Sequence, residues 1–508
     1  MIATPDVDLS VLAPMGFAAI GAMVVLLGEV VLSRAGTFLG RRVTDSYIGT
    51  VLAAVSVLAL ALSFTVSAVA FGSGETASFN PDNPMLQLDR FSSLMSALLA
   101  LAAAMTIALS VVYLDEMGIN HGEYYALLLL SVSGMMVLVA AIDFLAVFLG
   151  FELMSIPIYV LAGFDRVKLR SNESAIKYFV IGSFASALLL YGMALLYGAT
   201  GSTAFADVQD LYDPSSSVAL VGAGLVLVGF AFKVSSVPFH QWTPDVYEGA
   251  PVTITAFMSV AVKTAAFAAL ARLLAEAIGP ITGSLNDVLW MLAALSMVVG
   301  NAMAVIQDNV KRMLAYSSIA HAGTLLVGLT AGGEEGYAAV VFYLLVYSFM
   351  NLGAFGVVVT LAHRGQDCEE IDGFAGLSET RPGLAALMTL FLLSLAGIPG
   401  TAGFIAKFNV FFAAVNAQMI WLPILVVLTS VVSIFYYLRI PVVMYMRDSD
   451  PETPRAKIAT GEVLVLGLCA AAVLFFGVFP NGAALPGSGF ELPALDWAHR
   501  AVQQFFGR

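Results

Sequence analysis

Apolar residues run along this chain in long blocks, and polar positions gather between the blocks rather than alternating with a short period. A helix needs about 20 mostly apolar residues to cross the hydrocarbon of a bilayer, and about fourteen such blocks are present. They lie at roughly 10–32, 48–72, 91–114, 124–141, 143–163, 174–199, 218–242, 252–276, 286–306, 312–331, 337–362, 383–414, 418–446 and 461–480. The pattern predicts an all-α polytopic membrane protein of about fourteen transmembrane helices, forming one membrane domain over 1–508. The N-terminus has neither a basic n-region nor a cleavage site, so the first span is expected to be retained.

Two spans are interrupted. Lys233-Val-Ser-Ser-Val-Pro238 puts a proline deep in span seven, and Ala396-Gly-Ile-Pro-Gly400 does the same in span twelve. Proline removes a backbone donor and clashes with the preceding turn. Inside a bilayer such breaks persist only where protein or enclosed water satisfies the freed groups. Broken helices at corresponding places in two halves point to a transport site in an inverted-repeat fold. The expected organisation is three N-terminal spans over 1–123, a first five-helix repeat over 124–276 (spans 4–8) and an inverted second repeat over 286–446 (spans 9–13). A last span at 461–480 and an outer-side tail at 481–508, with one short surface helix, follow.

Positive residues orient the spans. With the N-terminus outside, the loops facing the cytoplasm hold Arg34, Arg41, Arg42, Arg166, Lys168, Arg170, Lys311, Arg312, Arg364, Arg381, Arg447, Arg455 and Lys457. The outer loops hold only Arg90, Arg272, Arg500 and Arg508. This asymmetry follows the positive-inside rule and predicts both termini outside.

Composition agrees. The chain is 60% hydrophobic and 11% charged, whereas a soluble domain carries ~25% charged residues. The net charge of −13 resides in loops, and no basic patch suggests a nucleic-acid partner. Cys368 and Cys469 are the only cysteines; without a CxxC pair or Cys/His cluster, no metal or iron–sulfur site is expected. No phosphate-binding loop occurs either.

Against this background a few charges stand out. Glu152, Lys177, Lys233, Lys263 and Lys407 lie inside apolar runs. A charge at the bilayer centre costs ~2.5–3.5 kcal/mol on insertion scales, so such residues mark ion or proton pathways. At ~1.5 Å rise per residue, Glu152 lies about 14 Å and Lys263 about 16 Å inside their spans, and Lys233 and His321 are similarly deep. Lys177 and Arg439 lie nearer span ends, where a long side chain can snorkel to the headgroups. Asp143 and Glu29 read as interfacial, His321 as a core histidine or a relay. His240, seven residues past Lys233, would share its helical face if Pro238 did not intervene. The expected chemistry is a proton relay: burial disfavours a charged amine, and a nearby carboxylate restores it.

The segment Phe232-Lys-Val-Ser-Ser-Val-Pro-Phe-His-Gln-Trp-Thr-Pro-Asp-Val-Tyr-Glu-Gly-Ala-Pro251 resembles the antiporter-like membrane subunits of respiratory complex I, the proton-pumping NADH:quinone oxidoreductase. Residues 151–157, 310–321 and 397–407 are similar too, and the stretch from Pro244 looks like the N branch of that family. The resemblance implies that Glu152 and Lys233 form the central ion pair of a first half-channel, with Lys177 assisting near Glu152. It implies that Lys263 links the half-channels, that His321 lies on the hydrated axis, and that Lys407 ends the second. It further implies no cofactor in this chain. NAD, FMN, iron–sulfur clusters and quinone would belong to partner subunits of the complex in a bacterial-type plasma membrane. One departure is Gly-Ile-Pro-Gly in span twelve, where the family often has a second proline; a looser break is expected there. Two rivals are a subunit of a multi-subunit cation/proton antiporter and a membrane scaffold that moves nothing.

Overall fold

The computed structural model describes residues 7–38, 45–211, 213, 216–362, 368–448, 458–480 and 494–506. In lipid a backbone must satisfy its own hydrogen bonds, so each apolar run closes into a helix. The N-terminal runs form α1 (Ala13–Phe38), α2 (Asp45–Ser73) and α3 (Arg90–Met117). The loop before α3 pairs two short antiparallel strands, β1 (Ala77–Ser78) and β2 (Gln87–Leu88). Next come α4 (Gly122–Ala140), α5 (Phe144–Ala162), α6 (Leu169–Thr200), the short α7 (Phe205–Leu211), α8 (Ser217–Lys233) and α9 (Trp242–Gly249). Helix α10 (Val252–Phe257) continues through a π-helical turn (Met258–Val262) into α11 (Lys263–Glu276). The second half holds α12 (Gly279–Val305), α13 (Val310–Ala331), α14 (Gly333–Leu361), α15 (Leu377–Thr380), α16 (Pro382–Ala396), α17 (Ala402–Asn416) and α18 (Trp421–Met446). It closes with α19 (Thr460–Val478) and α20 (Ala494–Phe506).

Among the described residues twelve helices are long and apolar enough to cross a membrane. The runs expected as spans seven and twelve are not among them, because each folds in two pieces. The first ends at Lys233, earlier than the expected 242. Its loose backbone groups are met locally: Val237 N–H donates to Ser296 Oγ (2.9 Å), and the Trp242 indole N–H donates to Phe232 O (3.1 Å). The second break turns on Gly397 (φ 87°) and Gly400 (φ 89°). A second proline at 400 would be impossible at that φ, so the glycine is a requirement of this turn rather than a loosening of it.

Contacts sort the loops into two ends. Leu86 pairs with Ala141 and Asp143 with Ala204; Asp89 pairs with Arg272, and His499 of α20 reaches Glu334. At the opposite end, Asn309 pairs with Glu370, Lys311 donates to Ala250 O, and Arg447 pairs with Asp372. Arg41, Arg42, Arg364, Arg455, Lys457 and Arg508 lie outside the described residues, as does tail segment 481–493.

Burial is uneven. The span Val252–Glu276 and helix α13 are almost entirely buried, and α14 nearly so, whereas α1, α2, α6, α18 and α19 turn much of their surface outward. The central helices are less apolar than the peripheral ones, because they face protein and carry the hydroxyls and amines of the interior. Asp143, expected at the interface, is buried as the N-cap of α5: it accepts from Leu145 N–H (2.7 Å) and the Thr203 hydroxyl (2.6 Å).

Candidate functional site

Helix α8 stops at Lys233, and this termination projects the amine into a cage built by α5 and α6. Lys233 is 1% exposed. Its Nζ donates to Ser155 Oγ (2.7 Å) and the Tyr178 hydroxyl (3.3 Å). The rings of Phe151, Tyr159 and Tyr178 lie 5.1, 5.4 and 5.2 Å from the nitrogen, so π faces supply the rest of its surroundings. Glu152 lies one turn before Ser155 on α5, within electrostatic reach of Lys233. The two do not form the ion pair that the resemblance implies: among the described residues Glu152 has no salt-bridge partner, and its buried Oε1 accepts no hydrogen bond. The hydroxyls of Ser155 and Tyr178 satisfy the amine in its place. Tyr159 OH and Ser186 Oγ are also buried without a partner, which is unusual for polar atoms in a protein interior.

A second network runs between α11, α13, α14 and α18. Lys263 is the first residue after the π-helical turn, a local widening often found at functional sites. Its Nζ donates to Ser318 O (2.7 Å), and the Ser318 hydroxyl accepts from Tyr347 OH (3.0 Å). One turn along α13 from Ser318, His321 is held at both ring nitrogens: Nδ1 meets Tyr343 OH (2.6 Å) and Nε2 meets Tyr437 OH (3.1 Å). Tyr437 OH also meets Ser317 Oγ, and Tyr436 OH donates to Asn301 Oδ1 (3.1 Å). Hydroxyl and neutral imidazole each donate and accept, so protons can shift along such a chain by rotation of the hydroxyls. His321 lies within electrostatic reach of both Lys263 and Lys407.

Lys407 is half-buried on α17, and its Nζ donates to Ala396 O (2.9 Å), a carbonyl freed by the second break. Beside it an apolar cavity of about 280 Å³ is lined by Phe404, Phe408 and Val427 among others.

Lys177 is placed elsewhere. It sits at the end that carries Asp245, 39% exposed, and pairs with Glu173 (2.7 Å) and Asp245 (2.8 Å) rather than assisting Glu152. Its position near the start of α6 leaves the amine short of the membrane interior, and two surface carboxylates capture it. Arg312 joins the same cluster, pairing with Asp245 (2.9 Å) and Glu248 (2.8 Å). Asp245 lies on α9, beyond the spans. Burial pushes its carboxyl up, but Lys177 and Arg312 outweigh burial and hold it below its ordinary value. His240 lies in the turn between α8 and α9, half-buried, with Nδ1 unpartnered; the break removes the helical face it would have shared with Lys233.

The fold also gathers Glu29, His121 and Glu123, whose potential ligand atoms lie within 4.8 Å of one another. Glu29 already accepts from Gly122 N–H (3.1 Å) at the start of α4.

Sequence reasoning missed the hydroxyls: Ser155, Tyr178, Ser318, Tyr343, Tyr347 and Tyr437. A signal for them exists. Tyrosine in membrane helices concentrates at the interfaces, so tyrosines deep in spans are out of place in the same way as buried lysines.

Over residues 141–433 the chain matches the family described as "NADH:quinone oxidoreductase/Mrp antiporter, TM". The "NADH-quinone oxidoreductase subunit N" of Trichlorobacter lovleyi is 46% identical, covering 81% of this chain and 85% of its own. "NADH-quinone oxidoreductase subunit N 1" of Herpetosiphon aurantiacus is 41% identical, covering 94% of this chain and 96% of its own. Among solved structures, a chain of respiratory complex I from Thermus thermophilus superposes with TM-score 0.74 at 32% identity, covering 91% of this chain and 97% of that one. A chain of the Mrp complex from Dietzia sp. DQ12-45-1b shares the fold, with TM-score 0.81 at 21% identity over 98% of this chain and 97% of that one.

Proposed function

Because the chain belongs to the transmembrane family of NADH:quinone oxidoreductases and Mrp antiporters, we propose that it is a proton-translocating membrane subunit of a respiratory NADH:quinone oxidoreductase, of the type called subunit N in its relatives. The observation that supports this most is the buried set of ionisable and hydroxyl groups between Lys263 and Lys407: Lys263 held on the Ser318 carbonyl, the bonded Ser318 and Tyr347 hydroxyls, and, beside the Tyr347 ring, the Tyr343–His321–Tyr437 cluster.

In this proposal Glu152 and Lys233 form the centre of the first half-channel. Lys263 and His321 carry the proton across the middle, and Lys407 releases it. His240 and Lys177 are subsidiary. Glu152 and Lys233 lie within electrostatic reach of each other but are not paired in the present conformation. Moving such a pair from ~8 to ~4 Å apart at an effective dielectric of ~20 is worth about 2 kcal/mol. Carrying one proton against ~150 mV takes about 3.5 kcal/mol. One pair cannot supply that alone, so several charges acting in turn are needed.

The end carrying Asp245 faces the cytoplasm in this proposal, supported by Arg166, Arg170, Lys311 and Arg312 there, and both termini lie outside in a bacterial-type plasma membrane. NAD, FMN, iron–sulfur clusters and quinone belong to partner subunits, and electron transfer in them drives this chain. A purely structural role does not account for the amines of Lys263 and Lys407, which hold only backbone carbonyls and, among the described residues, no carboxylate.

The test is the assembled complex carrying Glu152→Gln in sealed vesicles. Protons moved per NADH oxidised should fall while the amount of assembled complex stays normal. An unchanged ratio removes Glu152 from the route, and a requirement for sodium would favour an antiporter instead.

A further inference from the structure

We propose that Asp245 is a positioning residue for proton transfer at Lys233, acting through the eight-residue helix α9; this rests on the function proposed above. Helix α9 touches the Lys233 site at its first residue. Trp242 is 2% exposed and stacks on Tyr178 with ring centroids 4.2 Å apart and planes within 6°. Tyr178 is the residue whose hydroxyl receives the Lys233 amine. The Trp242 indole also holds Phe232 O, the carbonyl immediately before Lys233. One α9 residue thus fixes both a wall of the cage and the backbone that bears the amine.

Three residues further along, Asp245 anchors the same helix. Its Oδ2 accepts from Lys177, the chain neighbour of Tyr178, and its Oδ1 accepts from Arg312 at the start of α13. Helix α13 also carries Ser318 and His321. One carboxylate therefore ties α6, α9 and α13 together, the elements that bear the first cage and the second network. The docking is close: a Cβ on Gly249 would lie 2.1 Å from Ser174 Oγ and 2.4 Å from Arg170 O. A cleft of about 160 Å³ lined by Glu173, Lys177, Asp245 and Glu248 opens over the cluster, so the anchor is reachable by water.

Removing the Asp245 charge does not strip the cluster. Lys177 keeps Glu173 and Arg312 keeps Glu248. Glu248 also keeps the far turn of α9 on Arg312 and Arg170. What goes is the ionic tie at Asp245 itself, three residues from Trp242, and with it the fine setting of Trp242 and Tyr178 against Lys233.

The experiment uses the assembled complex in proteoliposomes and compares Asp245→Asn, Asp245→Glu and Lys233→Ala for assembly, NADH oxidation and protons moved per NADH. Asp245→Asn should assemble normally and lower the proton ratio about twofold or more, since a misplacement of about 1 Å at a reacting group is costly. Asp245→Glu should recover most of the loss. A normal ratio in Asp245→Asn, with Lys233→Ala impaired, overturns the positioning role and leaves α9 a structural brace. Failure of Asp245→Glu to recover the ratio overturns it as well. A normal ratio in Lys233→Ala would instead strike at the proposed function itself.

Discussion

The amine of Lys263 donates to the backbone carbonyl of Ser318 at 2.7 Å, joining two helices that are almost entirely buried. Ser318 then turns its hydroxyl to Tyr347, so one serine links a lysine to the tyrosine–histidine cluster. Replacing Lys263 by methionine keeps the apolar stem and removes the exchangeable proton. Lys263→Met should assemble as well as the parent, because losing a buried amine is not costly to the fold when the volume is kept. Protons moved per NADH should fall clearly below the parental ratio, because the route through this chain loses one of its proton-transfer groups. Native gels and vesicle acidification read the two effects separately.

Asp89 and Arg272 make the opposite case. Both are 1% exposed and 2.6 Å apart, with Phe91 and Phe505 rings over the guanidinium. Asp89 also caps α3 through Ser92 N–H (2.7 Å). Asp89→Ala leaves the buried Arg272 with only the longer pair to Glu276 (4.0 Å) and should destabilise the chain by about 3 kcal/mol. The expected outcome is less subunit in the membrane and a lower unfolding temperature, with a normal proton ratio in whatever complex assembles.

Gly403 opens α17 directly against α16. A Cβ there would lie 1.8 Å from Ser394 O, a backbone atom that cannot rotate away. Gly403→Ala should cost about 1–3 kcal/mol or more through overpacking and shift α17, with Lys407, away from Ala396. Thermal unfolding of the purified complex measures the cost; an unchanged midpoint would show that the second break is pliable.

Asp245 gives a pH prediction. Its carboxyl is held below the ordinary range, so its stabilising effect is present above the unfolded value of about 3.9 and is lost as pH falls through the folded value. The stability difference between the parent and Asp245→Asn should therefore be the same at pH 8 and pH 6 and should shrink only below about pH 4. A difference that disappears between pH 8 and pH 6 would mean that Lys177 and Arg312 do not hold the carboxylate.

Much of this fold is legible in the sequence, because a span leaves an uninterrupted apolar run and a loop interrupts it. The two breaks are legible as well, through Pro238 and Pro399. The central place of α10, α11, α13 and α14 shows in the sequence only as a modestly lower apolar content, which does not by itself separate a protein-facing span from a lipid-facing one. The π-helical turn before Lys263 has no glycine or proline to announce it. Lys177 and Asp245 are 68 residues apart, and their pairing depends on how α9 folds back after the break. Formal charges drew attention to Lys233 and His321, while the tyrosines that contact them are counted as apolar by any composition measure. The unpaired state of Glu152 depends on which hydroxyls reach Lys233 first, and no spacing along the chain encodes that.

Vesicles containing the complex with Lys233→Ala, scored as protons moved per NADH oxidised, bear most directly on whether buried amines carry protons through this chain. Transport through the cage predicts a clearly reduced ratio with normal assembly. A parental ratio in fully assembled complex would show that protons pass without Lys233.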